Sequence, residues 1–212
     1  GVPCAKLAKF LAKHDYPVGA FWSGIPGTMG GALAMNAGCY GHETWEYVVA
    51  VEIVDRAGKI IKLTPKDFDI SYRTVKIKTH LNLTEFWFVR AILKLPEDKS
   101  ISGLQEIKNL LHKRSVDQPI GLFSGGSVFR NPQGNFAARL IDQAGLKDSA
   151  VGGARVSSKH ANFIINHAGE ASAKDIESLI ELVRTTVCQQ TAVPNCAVFS
   201  AFNICTVCNA GF

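Results

Sequence analysis

The sequence predicts an α+β protein in two parts. Two β-branched runs, 47–54 and 59–63, flank the turn-forming DRAG at 55–58, which specifies an antiparallel hairpin. Elsewhere apolar residues recur at helical spacing, most clearly between 172 and 190. Between these regions PEDKS (96–100) forms the most polar connector in the chain, and the domain boundary is placed there. With 212 residues, 47% hydrophobic and 19% charged, the chain can bury one substantial core or two smaller ones.

In chain order, 5–14 carries Leu7, Phe10 and Leu11 on one helical face and stops before Tyr16 and Pro17. A glycine-rich stretch follows at 24–41, then the hairpin. EFWFVRAILKL (85–95), rich in aromatic and branched residues and closed by Pro96, predicts another strand. Beyond the connector, Leu104, Ile107, Leu110 and Leu111 mark one helix, and 135–144, ended by Gly145, marks a second. Strands are expected at 151–156 and 163–166. The last helix opens on Ser172 with Asp175 completing a capping box, and Ile176, Leu179, Ile180, Val183 and Val187 line its inner face.

The net charge of +5 is spread along the chain, with Lys6, Lys9, Lys13, Arg73, Arg90, Arg114 and Arg155 all apart from one another. This fits an anionic small molecule at least as well as nucleic acid. No apolar run approaches the roughly 20 residues of a membrane span, and no charged-then-apolar leader opens the chain, so a cytoplasmic protein is expected. Because the chain begins at Gly1 inside a helix-like pattern, a preceding segment is expected as well. Of six cysteines, four stand at 188, 196, 205 and 208. Only Cys205-x-x-Cys208 has zinc-like spacing, so no metal site is expected; a disulfide framework is not expected either in a chain of this size without a secretory signal.

Four segments could carry chemistry. GIPGTMGGALAMNAGCYG (24–41) holds six of the chain's 19 glycines, so a ligand could approach its backbone; it is equally readable as a tight multi-turn loop. It matches neither the dinucleotide fingerprint nor the P-loop. SGGSVFRNP (124–132) leaves the Ser127 hydroxyl unshielded, or is simply a hairpin-type turn with a hydrogen-bonding serine. ISYR (70–73) sets Arg73 beside Tyr72, either as a fork for a carboxylate or phosphate or as an exposed loop arginine. In VSSKHANFIIN (156–166), His160 reads as structural, since no second histidine stands at metal spacing.

The order of these segments is specific. GIPGTMGGALAMNAGCYG, then YR, GGSVFRNP, AARLIDQAGLK and GGARVSSKHANFIIN closely resembles the UDP-N-acetylenolpyruvoylglucosamine reductase family along residues 1 to about 190. The resemblance implies a partial vanillyl-alcohol-oxidase-like FAD-binding domain over 1–96, a smaller α+β substrate-binding domain over 97–190 and an atypical tail over 191–212. It implies NADPH-dependent, FAD-mediated reduction of the enolpyruvyl ether of UDP-N-acetylglucosamine, an activity expected to be impaired in a chain truncated in this way. The partner is then a small-molecule UDP-sugar, with no nucleic acid and no membrane. Pro26, Gly27, Thr28, Gly30, Gly31, Ala32, Asn36, Ala37 and Gly38 would line the flavin. Arg73 would hold the substrate carboxylate, Ser127 would give a proton to carbon, and Tyr40, Tyr72 and Asn131 would touch the substrate.

The sequence also departs from the family pattern. The lobe with the Gly-Ser-Asn loop that grips the FAD pyrophosphate has no counterpart, and YR-x-S is replaced by Tyr72-Arg73-Thr74-Val75. No acidic residue follows Glu181, so the glutamate that assists the arginine has none either, and the Cys- and Phe-rich tail resembles the product of a reading-frame shift. Two alternative readings stand beside this one: a non-catalytic flavin- or UDP-sugar-binding fragment completed by a separate N-terminal half, and, against the cysteine spacing, a zinc-binding interaction tail.

Overall fold

A computed structural model describes residues 1–81, 83 and 85–191, apart from the His80 side chain. The chain divides into two units, Gly1–Arg114 and Ser115 onward. The expected boundary at 96/97 differs because the helix after the polar connector returns to the first core. Ile107 is buried there, Leu110 packs beside it, and a Cβ at Gly103 would meet Ala12 at 2.7–2.9 Å.

The first unit opens with helix α1 (Cys4–Ala12), whose buried stripe is Cys4, Ala8, Leu11 and Ala12. Of the expected Leu7, Phe10 and Leu11 face, Leu11 is buried and Leu7 packs against this core, and only Phe10 turns away. Phe10 is exposed and stacks on His14 with ring centroids 4.2 Å apart. Small residues at 4, 8 and 12 let a 3-10 segment, Pro17–Gly24, lie close, and Phe21 and Trp22 fill the space. Helix α2 (Met29–Ala34) follows, with Thr28 as N-cap accepting from the Gly31 N–H. Then comes the small ladder of β1 (Gly38–Cys39) and β2 (His42–Glu43).

Strands β3 (Val48–Asp55) and β4 (Ile60–Leu63) form the expected hairpin, with Val54 opposite Ile60. Asp55 makes the turn: its Oδ1 accepts from the N–H of Ala57 and of Lys59, both at 2.9 Å, and Gly58 takes φ +80°. A second hairpin, β5 (Phe68–Ser71) and β6 (Thr74–Ile77), carries Tyr72 and Arg73 at its tip. Strand β7 (Phe86–Leu93) pairs antiparallel with β3, giving the order β4-β3-β7. Phe86 and Phe88 point to a core with Leu33, Trp45, Ile53, Leu63 and Phe68, whereas Trp87 and Val89 face solvent, as strand alternation requires. All three tryptophans of the chain, Trp22, Trp45 and Trp87, belong to this unit. Helix α3 (Gly103–Asp117) buries Gly103 and Ile107, while Leu104 and Leu111, expected on the same face, are exposed.

The second unit is a four-stranded antiparallel sheet with two helices. The sheet order is β8 (Ser124–Ser127), β11 (Phe163–Asn166), β10 (Ala154–Val156), β9 (Ala150–Val151). Segment 124–127 is thus a strand rather than a turn: SGGS has almost no side chain to reveal it, and its pairing with β11 rests on main-chain bonds. Helix α4 (Ala137–Gln143) and helix α5 (Ala173–Gln190) enclose a core of Val128, Phe129, Leu140, Ile141, Val156, Ile164 and the α5 face. That face, Ile176, Leu179, Ile180, Val183 and Val187, is buried as expected, and the Ser172/Asp175 capping box is present.

Among the described residues no helix is long and apolar enough to cross a membrane. Among the same residues no group of three or more His, Cys, Asp or Glu side chains gathers as a metal site. Cys4 and Cys39 are free thiols. Cys196, Cys205, Cys208 and the tail at 192–212 lie outside the described residues.

Candidate functional site

The glycine-rich segment resolves into two kinds of glycine. A Cβ at Gly24 would lie 2.7 Å from the Tyr40 ring and 2.9 Å from Cys39 Sγ, and one at Gly38 would run into the His42 carbonyl. These two glycines are required by the fold itself. By contrast Gly27, at φ +112°, has nothing within 4 Å of its Cβ position, and Gly30 and Gly31 meet only Thr28 Oγ1 at 3.9 Å. Pro26, Gly27, Thr28 and Gly31 are exposed. This open backbone adjoins a cavity of about 370 Å³ lined by Leu7, Met29, Gly30, Leu33, Phe88 and Leu93. A flat cofactor could come against such a surface without displacing a side chain.

Ala32 and Asn36 stand apart from that open stretch because both are buried. The carbonyls of 36–38 are occupied from within the protein. Ala37 accepts from the Thr44 N–H at 2.9 Å and from Thr44 Oγ1 at 2.6 Å. Arg73 Nη1 donates to the Asn36 carbonyl at 3.0 Å, and its Nη2 donates to the Gly38 carbonyl at 2.6 Å.

The β5–β6 hairpin is what brings Arg73 to the glycine-rich segment. Arg73 takes φ +53° at the tip, a left-handed conformation in which glycine or asparagine would be less strained. Its guanidinium sits 5.0 Å from the Tyr72 ring centroid, and Glu43 Oε1 stands 3.9 Å from Nη1. Only two of the five N–H donors of this fork are on carbonyls, so others can meet a carboxylate. A second arginine, not singled out from the sequence, donates from Arg114 Nη1 to the Gly24 carbonyl at 2.8 Å. Nothing in the sequence spacing signals it, because 90 residues separate the two partners. Burial pushes the neighbouring Cys39 thiol up to about 11 even though Arg114 and Arg73 pull it the other way. Tyr40, at φ +55°, donates its hydroxyl to the Leu110 carbonyl at 2.9 Å.

In the second unit Ser127 is exposed at the end of β8, opposite Phe163 and next to Gly126, which has φ +88° and open space at its Cβ position. Its segment is held by Asn162. The Asn162 Oδ1 accepts from the Phe129 N–H and its Nδ2 donates to the Phe129 carbonyl, both at 2.9 Å. Asn131 Oδ1 accepts from the Ala137 N–H at 3.0 Å, which caps α4 in place of a side chain at Phe136. His160 is structural in setting: its Nδ1 accepts from the Asn162 N–H at 3.3 Å and its ring meets Phe163 edge-on, and burial lowers its pKa.

Comparison with known proteins bears on both units. The model of an FAD binding domain matches residues 1–64, and the model of the UDP-N-acetylenolpyruvoylglucosamine reductase C-terminal domain matches 118–194. The enzyme of that name from Legionella pneumophila (strain Paris) is 51% identical over 193 residues, covering 91% of this chain and 62% of the relative. The chain is similar to the UDP-N-acetylenolpyruvoylglucosamine reductases in both of its units. The enzyme of the same name from Nitrosomonas eutropha is 48% identical over 195 residues, with 91% of this chain and 58% of the relative covered. The crystal structure of the reductase from Thermus caldophilus aligns with a TM-score of 0.73 at 32% identity, over 86% of this chain and 65% of that one. The chain therefore spans about three fifths of the length of the curated relatives it matches. The α+β architecture, with an FAD-binding domain followed by the family's C-terminal domain, is the one the sequence predicts.

Proposed function

We propose that this chain carries the flavin-facing and substrate-facing residues for reduction of enolpyruvyl-UDP-N-acetylglucosamine to UDP-N-acetylmuramate, a step of peptidoglycan precursor synthesis. The observation that carries the reading is Arg73, whose guanidinium is docked on the carbonyls of Asn36 and Gly38 with donors to spare. The likeness to these reductases and the open backbone at Gly27, Gly30 and Gly31 support it.

Pro26, Gly27, Thr28, Gly30 and Gly31 would hold FAD through backbone contacts, with Ala32 beneath them and Asn36, Ala37 and Gly38 supporting the edge nearest Arg73. When bound, FAD renewed by NADPH supplies hydride to the enolpyruvyl carbon distal to the ether oxygen. Arg73 holds the substrate carboxylate and meets the negative charge that grows there. Ser127 holds a proton on Oγ and gives it to the adjacent carbon, and solvent returns a proton to the serine. Tyr72 and Tyr40 would orient the substrate at Arg73, and Asn131 would do so at Ser127. On this reading the first unit holds the flavin and the residues that grip the substrate carboxylate, the second unit supplies Ser127 and Asn131, and the reaction is a cytoplasmic one.

The test is direct. The purified chain is mixed with FAD, desalted and scanned for retained flavin absorbance. The flavin-loaded chain is then titrated calorimetrically with the enolpyruvyl ether and with UDP-N-acetylglucosamine, which lacks the carboxylate. Retained flavin and tighter binding of the carboxylate-bearing ligand are expected. A chain that keeps no flavin and treats the two ligands alike contradicts the proposal.

A further inference from the structure

We infer that the carboxamide of Asn36, with Glu43 behind it, is the positioning device for the Arg73 guanidinium. Asn36 is 1% exposed, yet its side chain is fully engaged. Its Nδ2 donates to Glu43 Oε2 at 2.7 Å and to the Ser71 carbonyl at 3.3 Å, and its Oδ1 accepts from the Trp45 N–H at 3.1 Å. A carboxylate and a carbonyl on one end and an N–H on the other admit a single orientation of the amide.

Each of these bonds has a consequence two or three atoms further on. Ser71 ends β5 and stands two residues before Arg73, so the bond to its carbonyl ties down the root of the hairpin tip. The Asn36 main-chain carbonyl itself receives Arg73 Nη1. Glu43 closes the circuit: one carboxylate oxygen takes the Asn36 amide, and the other stands 3.9 Å from the same Nη1. Arg73 is thereby held at both ends, its backbone root by the Asn36 side chain and its guanidinium by the Asn36 main-chain carbonyl and the Glu43 carboxylate that the Asn36 amide fixes. Low exposure makes each bond costly to leave unmade, because water cannot replace the lost partner.

The role assigned here to Arg73, holding a carboxylate, rests on the proposed function, whereas the positioning of its guanidinium does not. Two measurements separate them. In the first, 15N–1H spectra at low temperature follow the Arg73 Nη signals, assigned by their loss in Arg73→Lys. Resolved signals are expected in the parent chain and in Glu43→Gln, which keeps an acceptor for the Asn36 amide. Loss is expected in Glu43→Ala and in Asn36→Asp, where a second carboxylate faces the first. Arg114, docked on Gly24, supplies the folding control in the same spectrum. If Asn36→Asp also loses the Arg114 signals, the Glu43 pair decides alone. Arg73 signals that persist in Glu43→Ala, or that vanish equally in Glu43→Gln, overturn the inference.

In the second, the flavin-loaded Glu43→Ala chain is expected to bind the enolpyruvyl ether on the order of tenfold more weakly, with affinity for UDP-N-acetylglucosamine unchanged. A scaffold effect would weaken both ligands alike and would count against positioning. If the parent chain itself does not distinguish the ligands, the proposed function fails, and the spectra still decide the positioning.

Discussion

At the scale of single residues, exposure separates what the fold needs from what chemistry needs. Ser127 is exposed and buries nothing, so Ser127→Ala is expected to leave the thermal midpoint unmoved while lowering turnover by about 10²–10⁴-fold, the range for a lost general acid. Turnover that survives the change would remove Ser127 from the reaction. Cys39 makes the opposite case. With its pKa raised to about 11 by burial, its thiol stays protonated at neutral pH and gains thiolate only as pH approaches that value. Iodoacetamide followed by peptide mass mapping is expected to find Cys39 essentially unlabelled at pH 7.5 in the folded chain and labelled after denaturation; rapid labelling in the native state would contradict the half-buried, protonated thiol. The sequence made Arg73 and Ser127 visible through their glycine and aromatic neighbours. Glu43 and Arg114 gave no such signal, because their partners are assembled only by the fold.

At the scale of elements, local chemistry was readable wherever side chains declared it. Asp55 and Gly58 made the β3–β4 turn explicit, and Ser172 with Asp175 marked the start of α5. Elements held by backbone alone were not: β8 reads SGGS, and α2 reads MGGALA with Thr28 as its sole cap. The β5–β6 hairpin was hidden differently, since Arg73 occupies a left-handed position where turn rules look for glycine or asparagine. Helix α2 also yields a test. Gly30 and Gly31 lie inside it with open space at their Cβ positions, so alanine at either is expected to stabilise the chain by about 0.4–1 kcal/mol through the unfolded state. If these glycines are there to admit flavin, the same changes weaken FAD retention. Chemical denaturation and FAD titration on each variant decide it, and a stabilised variant with undiminished FAD affinity would detach these glycines from the cofactor.

At the scale of the whole chain, the two units and the two family models divide the sequence similarly, with 1–64 matched in the first unit and 118–194 in the second. The division at Arg114 could not be foreseen from composition, because the polar connector at 96–100 precedes a helix whose Ile107 belongs to the first core. Because Trp22, Trp45 and Trp87 all lie in that first unit, their emission reports on it. A saturating excess of FAD, at about 100 times its dissociation constant, is expected to raise the stability read by tryptophan fluorescence by about 2.7 kcal/mol. A transition indifferent to FAD would argue against a flavin site in this unit.

The order β4-β3-β7 leaves β7 at the margin of its sheet among the described residues, with Trp87 and Val89 53% and 56% exposed. Over eight residues this strand turns a row of amides and carbonyls away from β3, flanked by apolar side chains, and so offers a template onto which another polypeptide can crystallise strand by strand. Concentrated stocks of the chain are therefore expected to scatter light progressively, and Val89→Lys, which puts a hydrated cation on that margin, to stay clear for longer; identical scattering from both would place the sticky surface elsewhere.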